Sequence, residues 1–162
     1  MEPDYKGSRR MRIAICDDDI RICELFRSIV QRLYPKAVVS LYTDAGRLLR
    51  EEKLPDILLL DIKMPGISGM EAARRLRENG WKGILIFITG NEEYVFDAFD
   101  VKAFHFLVKP IHAKRLEEVV RNAYYRGNQI GAAASFLKDA PLTKEELKEL
   151  ERIQSAWMDR IS

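Results

Sequence analysis

Between residues 11 and 126, short apolar runs alternate with amphipathic stretches, the pattern of βα units around a parallel sheet. Five runs bounded by charge, Gly or Pro predict strands at Arg12–Cys16, Val38–Tyr42, Ile57–Leu60, Ile84–Ile88 and Phe104–Val108. Helices are expected between them. Ile22, Leu25, Phe26, Ile29, Val30 and Leu33 follow the i, i+3, i+4 rule, so the first helix should bury that stripe before Pro35 stops it. A second helix starts at the capping residue Asp44 and carries Leu48 and Leu49. A third starts near Ser68, presents Met70, Ala73 and Leu76, and ends at Asn79-Gly80. A short fourth covers Glu92 to about Phe99. The fifth runs from Ala113 to about Tyr125 on Leu116, Val119, Val120 and Ala123, with Gly127-Asn128 as its stop.

This gives four segments: an N-terminal extension over 1–10, a main domain over 11–126, a looser linker over 127–141, and a C-terminal amphipathic helix over 142–162. Thr143 and Glu146 form a capping box for that last helix, with Leu142 and Leu147 as a hydrophobic staple. Leu147, Leu150, Ile153, Trp157 and Ile161 make one stripe, which packs on the same chain or on a partner, so Trp157 is expected to be buried.

Composition narrows the class. The chain has 162 residues, 47% apolar and 32% charged, an ordinary globular balance for one domain with an appendage. Lys plus Arg is 27 against 25 Asp plus Glu, so there is no basic footprint for nucleic acid and no direct nucleic-acid binding is expected. Cys16 and Cys23 are too few for a disulfide framework and match no zinc or redox spacing. The first ten residues lack the apolar core of a signal peptide, and no run of about 18 apolar residues could span a membrane. A cytoplasmic protein without membrane contact is expected.

In an open parallel sheet the functional crevice lies beyond the C-terminal ends of the strands. Asp17-Asp18-Asp19 follows strand one, Asp61 strand three, Thr89-Gly90 strand four and Lys109-Pro110 strand five. Asp19 is read first as a helix N-cap. The remaining carboxylates would repel unless a hard divalent cation neutralised them, and Mg²⁺ held by one or two carboxylates with phosphate oxygens suits that set. The hydroxyl and the ammonium could contact phosphoryl oxygens, leaving Asp61 as the candidate nucleophile.

On these residues the chain resembles the receiver domain of two-component response regulators, over residues 11 to about 126. ICDDD is similar to the family's acidic pair, LLLDIKMPGISGMEAARRLR to its phosphoacceptor strand and loop, and FITG and FLVKPI to its hydroxyl and Lys-Pro positions. The resemblance implies a flavodoxin-like (CheY-like) α/β fold, with a five-stranded parallel sheet of order 2-1-3-4-5 and helices on both faces, here with a C-terminal helical extension. It implies Asp61 as phosphoacceptor, and Mg²⁺ bound by Asp61, directly by Asp18, through water by Asp17, and by the Lys63 carbonyl. Thr89 and Lys109 would bind the phosphoryl oxygens, Gly90 would keep the site open, and Phe106 would be the aromatic whose burial follows the Thr. Lys109-Pro110 would be cis. The implied partner is a histidine kinase or phosphotransfer protein. The chain would be a phosphoacceptor that assists its own phosphorylation and dephosphorylation rather than a conventional enzyme. Its output would be a changed protein interface, with a homodimer through the helix four, strand five and helix five face or through the C-terminal helix as a further expectation.

Some residues depart from the family. Lys102 and His105 stand where Gly and Asp are frequent, and by alternation with Phe104 and Phe106 His105 is expected to point outward. Lys63 places a cation beside the acidic cluster, and His112 has no metal-site partner. EEYVFDAFDVKAFHFLVKPI further resembles receivers of the LytTR type, but about 35 residues after the fifth helix are too few for a DNA-binding output domain. LTKEELKELERI superficially resembles the opening of a LuxR-type helix-turn-helix, with no recognition helix after it. The alternatives are a receiver fragment of a transcription regulator and a phosphorylation-independent interaction module. A haloacid dehalogenase-type phosphatase wants Asp-x-Asp, whereas Ile62-Lys63 follow Asp61, and a flavodoxin-like FMN carrier would not place three Asp against a phosphate.

Overall fold

A computed structural model describes the backbone of residues 10–137 and side chains to residue 126. Five strands, β1 (Arg12–Cys16), β2 (Val38–Tyr42), β3 (Ile57–Leu60), β4 (Ile84–Thr89) and β5 (His105–Val108), form one parallel sheet of order β2-β1-β3-β4-β5. The central strands are buried on both faces, which is why ILLL and ILIFIT read as unbroken apolar runs rather than as alternations. β2, at an edge, is only partly covered.

One face, with Ala14, Leu58, Leu60, Leu85, Phe87 and Phe106, packs under α2 (Ala45–Leu49), α3 (Gly69–Glu78) and α4 (Val95–Asp100). The other, with Ile13, Ile15, Leu59, Ile86 and Leu107, packs under α1 (Ile20–Leu33) and α5 (Ala113–Leu137). A 3-10 turn, Glu92–Tyr94, leads into α4. The helix starts are those the capping residues foretell, because Asp19, Asp44 and Ser68 accept from the backbone N–H of Arg21, Arg47 and Glu71. Asn79 closes α3, with Gly80 at φ +91°.

Three expectations need correction. Leu25 is 53% exposed, since α1 buries a stripe centred on Cys23, Phe26, Ile29 and Val30. α5 does not stop at Gly127-Asn128 but continues to Leu137, through most of the proposed linker. Each of Gly127 and Gly131 costs the helix only about 1 kcal/mol, and Gln129 and Ala132 to Ala134 are helix formers. His105 does not point outward: it is 2% exposed, on the sheet face that α5 covers. The extension over 1–9, residues 138–141 and the helix over 142–162 with Trp157 lie outside the described residues. Among those described, no helix is long and apolar enough to cross a membrane.

Candidate functional site

The strand order reverses between β1 and β3, and the acidic residues stand just beyond the ends of those two neighbours. Ladder bonds continue one residue past each strand: Asp17 N–H donates to the Tyr42 carbonyl at 3.0 Å and Asp61 N–H to the Cys16 carbonyl at 2.9 Å. Lys109 N–H likewise donates to the Thr89 carbonyl at 2.8 Å, which sets the Lys and the Thr side by side. The Lys109-Pro110 bond is cis.

Asp17, Asp18 and Asp61 each offer a carboxylate oxygen, all within 4.8 Å of one another. Asp17 is 3% and Asp61 7% exposed, whereas Asp18 faces solvent. The Lys109 ammonium donates to Asp17 Oδ2 at 2.7 Å and to Asp61 Oδ2 at 3.4 Å. Asp17 Oδ1 also accepts from the Asp19 N–H at 2.9 Å, so its carboxylate is held from both sides. Burial pushes the Asp61 carboxyl above its ordinary value, Lys109 pulls against that, and the charge of Asp17 adds to the rise. Burial pulls the Lys109 ammonium down, but its bonds to Asp17 and Asp61 outweigh that and hold it above the usual range. The Thr89 hydroxyl is fully buried and has no hydrogen-bond partner among the described residues. An unpaired buried hydroxyl is costly, which marks a place for an acceptor oxygen.

These donors fit the expected groups. Three oxygen ligands with one solvent-facing member suit Mg²⁺, which keeps several waters. Adding Mg²⁺ should therefore raise the unfolding midpoint, by a stabilisation of about 2.7 kcal/mol at a hundredfold excess over Kd. Asp18→Asn, at an exposed position, should remove that shift while leaving the midpoint without Mg²⁺ in place, as a thermal titration will show. Lys63 lies in the loop after Asp61 with its side chain exposed, and lines a groove of about 380 Å³ with Ile62, Met64, Pro65, Ser68 and Tyr94. A Cβ at Gly90 would meet nothing within 4 Å. Gly90→Ala should unfold within about 2 °C of wild type in a thermal melt. Phe106 is fully buried, with its ring centroid 6.1 Å from that of Phe87.

Gly69 is a residue the sequence reading missed. A Cβ there would lie 1.9 Å from the carbonyl oxygen of Asp61, so the start of α3 packs directly on the Asp61 backbone. Its N–H donates to the Ile62 carbonyl at 2.7 Å. The signal was available in Ser68-Gly69, a poor helix former immediately after an N-cap. Both cysteines are buried, and burial, with the neighbouring Cys23 and nearby carboxylates, pushes the Cys16 thiol up to about 12, which disfavours its thiolate.

Comparison with known proteins agrees with this geometry. The family described as the response regulator receiver domain matches residues 13–121. The positive alginate biosynthesis regulatory protein of Pseudomonas aeruginosa is 35% identical over 127 residues, 76% of this chain and 51% of that protein. The transcriptional regulatory protein BtsR of Salmonella typhi is 35% identical over 112 residues, 68% of this chain and 46% of that protein. The chain thus spans about half the length of the curated relatives it matches. Among solved structures, the response regulator DrrB, a Thermotoga maritima OmpR/PhoB homologue, superposes with a TM-score of 0.65 at 24% identity, over 73% of this chain and 54% of that one, and shows the fold alone. The LytTR subgroup is not supported by these matches. Both named relatives are regulatory proteins, one of them transcriptional, so they do not confirm the expected lack of nucleic-acid binding.

Proposed function

This chain belongs to the response regulator receiver domains of two-component systems, CheY-like in fold, and on that premise we propose that Asp61 accepts a phosphoryl group from a histidine kinase or phosphotransfer protein. Receiver domains generally bind Mg²⁺ at an acidic pocket, and here Asp17, Asp18 and Asp61, with the Lys63 carbonyl, would hold it. The bound ion would supply positive charge to the phosphoryl oxygens and relieve the repulsion among the carboxylates. An Asp61 carboxylate oxygen attacks phosphorus in line. An O–P bond forms, the N–P bond of the donor phosphohistidine breaks, and its electron pair returns to the imidazole, which takes a proton from water. Lys109 transfers one hydrogen bond from Asp61 to a phosphoryl oxygen, and Thr89 gives its unused hydroxyl to another. Attack of water on phosphorus breaks the Asp61 O–P bond, releases inorganic phosphate and restores the carboxylate, so the chain assists its own phosphorylation and dephosphorylation without being a conventional enzyme.

The observation that carries this reading is the buried, unpartnered Thr89 hydroxyl at a strand end beside the Lys109–Asp61–Asp17 cluster. Phosphorylation adds charge and acceptor oxygens there and biases the face of α4, β5 and α5, changing a protein contact or a homodimer. We place this activity in the cytoplasm, where such a kinase presents its phosphohistidine. The test is intact mass after incubation with acetyl phosphate and Mg²⁺, with oligomeric state read in the same samples. A gain of one phosphoryl on wild type and none on Asp61→Asn is expected. No gain on folded wild type would instead favour a phosphorylation-independent interaction module.

A further inference from the structure

Arg77, in the last turn of α3, lies at the edge of the sheet opposite the acidic cluster, yet it is tied to the element beside the site. Its Nε donates to the Val101 carbonyl at 2.8 Å and its Nη2 to the Lys102 carbonyl at 3.1 Å. Nη1 donates to the carbonyls of Trp81 at 3.1 Å and Gly83 at 2.9 Å, and the guanidinium sits 4.6 Å from the Trp81 ring centroid. Trp81 is itself anchored by its Nε1–H to the Pro55 carbonyl at 2.8 Å, and Gly83 is required beneath it, since a Cβ would lie 2.4 Å from the ring. Burial pulls the guanidinium down to about 10. One planar fork thus joins the end of α3, the α3–β4 turn and the α4–β5 turn.

The two ends of α4 contrast. Its C-terminal end is locked: Val101 is buried, Lys102 holds φ +53°, and Arg77 binds both carbonyls. Its N-terminal end begins as a 3-10 turn with no side-chain cap at Asn91 or Tyr94. Only Val95 and Ala98 of α4 are buried, and Phe96 and Phe99 are exposed. An uncapped 3-10 start at one end and a multiple anchor at the other make α4 a lever with one fixed end.

We propose that Arg77 is the fixed end about which α4 turns when the acceptor site is loaded, so that the change covers residues 91–99 and stops before the α4–β5 turn. Arg77 is a positioning residue in this account, which rests on the phosphoacceptor reading. The test is hydrogen–deuterium exchange on the full chain, with and without Mg²⁺ and beryllofluoride as phosphoryl mimic. Binding of the mimic is read separately as a thermal shift that Asp61→Asn abolishes. In wild type the mimic should change exchange over 91–99 by about threefold or more and leave 100–104 within about 1.5-fold. Arg77→Lys keeps the charge but loses the fork, and the change should spread into 100–104. Lys102→Gly relieves the positive φ without touching the carbonyl that Arg77 binds, and should leave the boundary where it is in wild type. A change running through 100–104 in wild type, or an unmoved boundary in Arg77→Lys, overturns the proposal. Should Arg77→Lys fail to fold, Arg77→Gln takes its place with the same expected spread into 100–104, and a wild-type change running through 100–104 overturns the proposal by itself. Absence of any thermal shift overturns the phosphoacceptor reading and the pivot with it, whereas a shift without a boundary overturns the pivot alone.

Discussion

Lys109→Ala is expected to lose both phosphoryl uptake and about 2–4 kcal/mol of stability at neutral pH. The ammonium bridges Asp17 and Asp61, two nearly buried carboxylates, and its removal leaves like charges facing each other out of water. The deficit should shrink on adding Mg²⁺, which restores positive charge between them. The pH dependence has a definite sign. The folded pKa of Asp61 lies above its unfolded value of 3.8, so its charged form is disfavoured in the fold, and its contribution worsens as pH rises from there through the folded pKa. Without Lys109 that rise is larger, so the variant should recover toward wild type as pH falls through this acid window. The folded pKa of Lys109 lies above 10.5, so the stability it supplies is full below that value and is lost as pH rises through the folded pKa. Urea unfolding of both proteins from pH 4 to pH 8 reads the acid-side effect directly, and a deficit independent of pH would show that packing, not charge, was lost.

Gly69→Ala is expected to be worse still for the fold, costing about 3 kcal/mol or more. The added Cβ would meet the Asp61 carbonyl oxygen at 1.9 Å, the Asp61 carbonyl carbon at 2.8 Å and the Ile62 Cα at 2.9 Å. All three are backbone atoms, which cannot swing aside as a side chain could. Relief therefore has to move α3 or the end of β3, which leads directly into Asp61, the proposed acceptor. Acetyl phosphate uptake should fall with stability, in contrast to Gly90→Ala, whose new methyl meets open space. Unfolding at the wild-type midpoint would show that the close approach is tolerated.

The strands were legible because each is a compact apolar run bounded within two residues by charge, Gly or Pro, and the structure moves their ends by no more than one residue at β4 and β5. The grouping of side chains beyond the strand ends was legible for a related reason. A parallel sheet brings all its strand ends to one edge, so Asp17, Asp61, Thr89 and Lys109 could be grouped without knowing any distance. What periodicity cannot carry is which element covers a face. His105 alternates correctly with Phe106, but only the placement of α5, with Arg115 Nη2 at 3.0 Å from His105 Nε2, makes its side buried. Leu25 fits the helical repeat yet falls at the margin of the stripe. Gly127 looked like a stop, but without a following proline or a capping turn it is only a weak position in α5. Arg77 was hidden for a different reason: its bonds to Val101 and Lys102 are contacts with backbone carbonyls remote in sequence, which leave no trace in residue type, whereas Gly69 did leave a signal in the Ser68-Gly69 pair.

The most direct measurement is to trap the phosphoryl where it sits. Wild-type chain loaded with acetyl phosphate and Mg²⁺ would be reduced with borohydride, which converts an aspartyl phosphate to homoserine with release of phosphate, and then mapped by peptide mass spectrometry. Homoserine at position 61, absent when Mg²⁺ is withheld, is the expected result. Homoserine at Asp17 or Asp18, or a stable phosphoryl on His105 or His112 with Asp61 unmodified, would contradict the assignment of Asp61 as the acceptor.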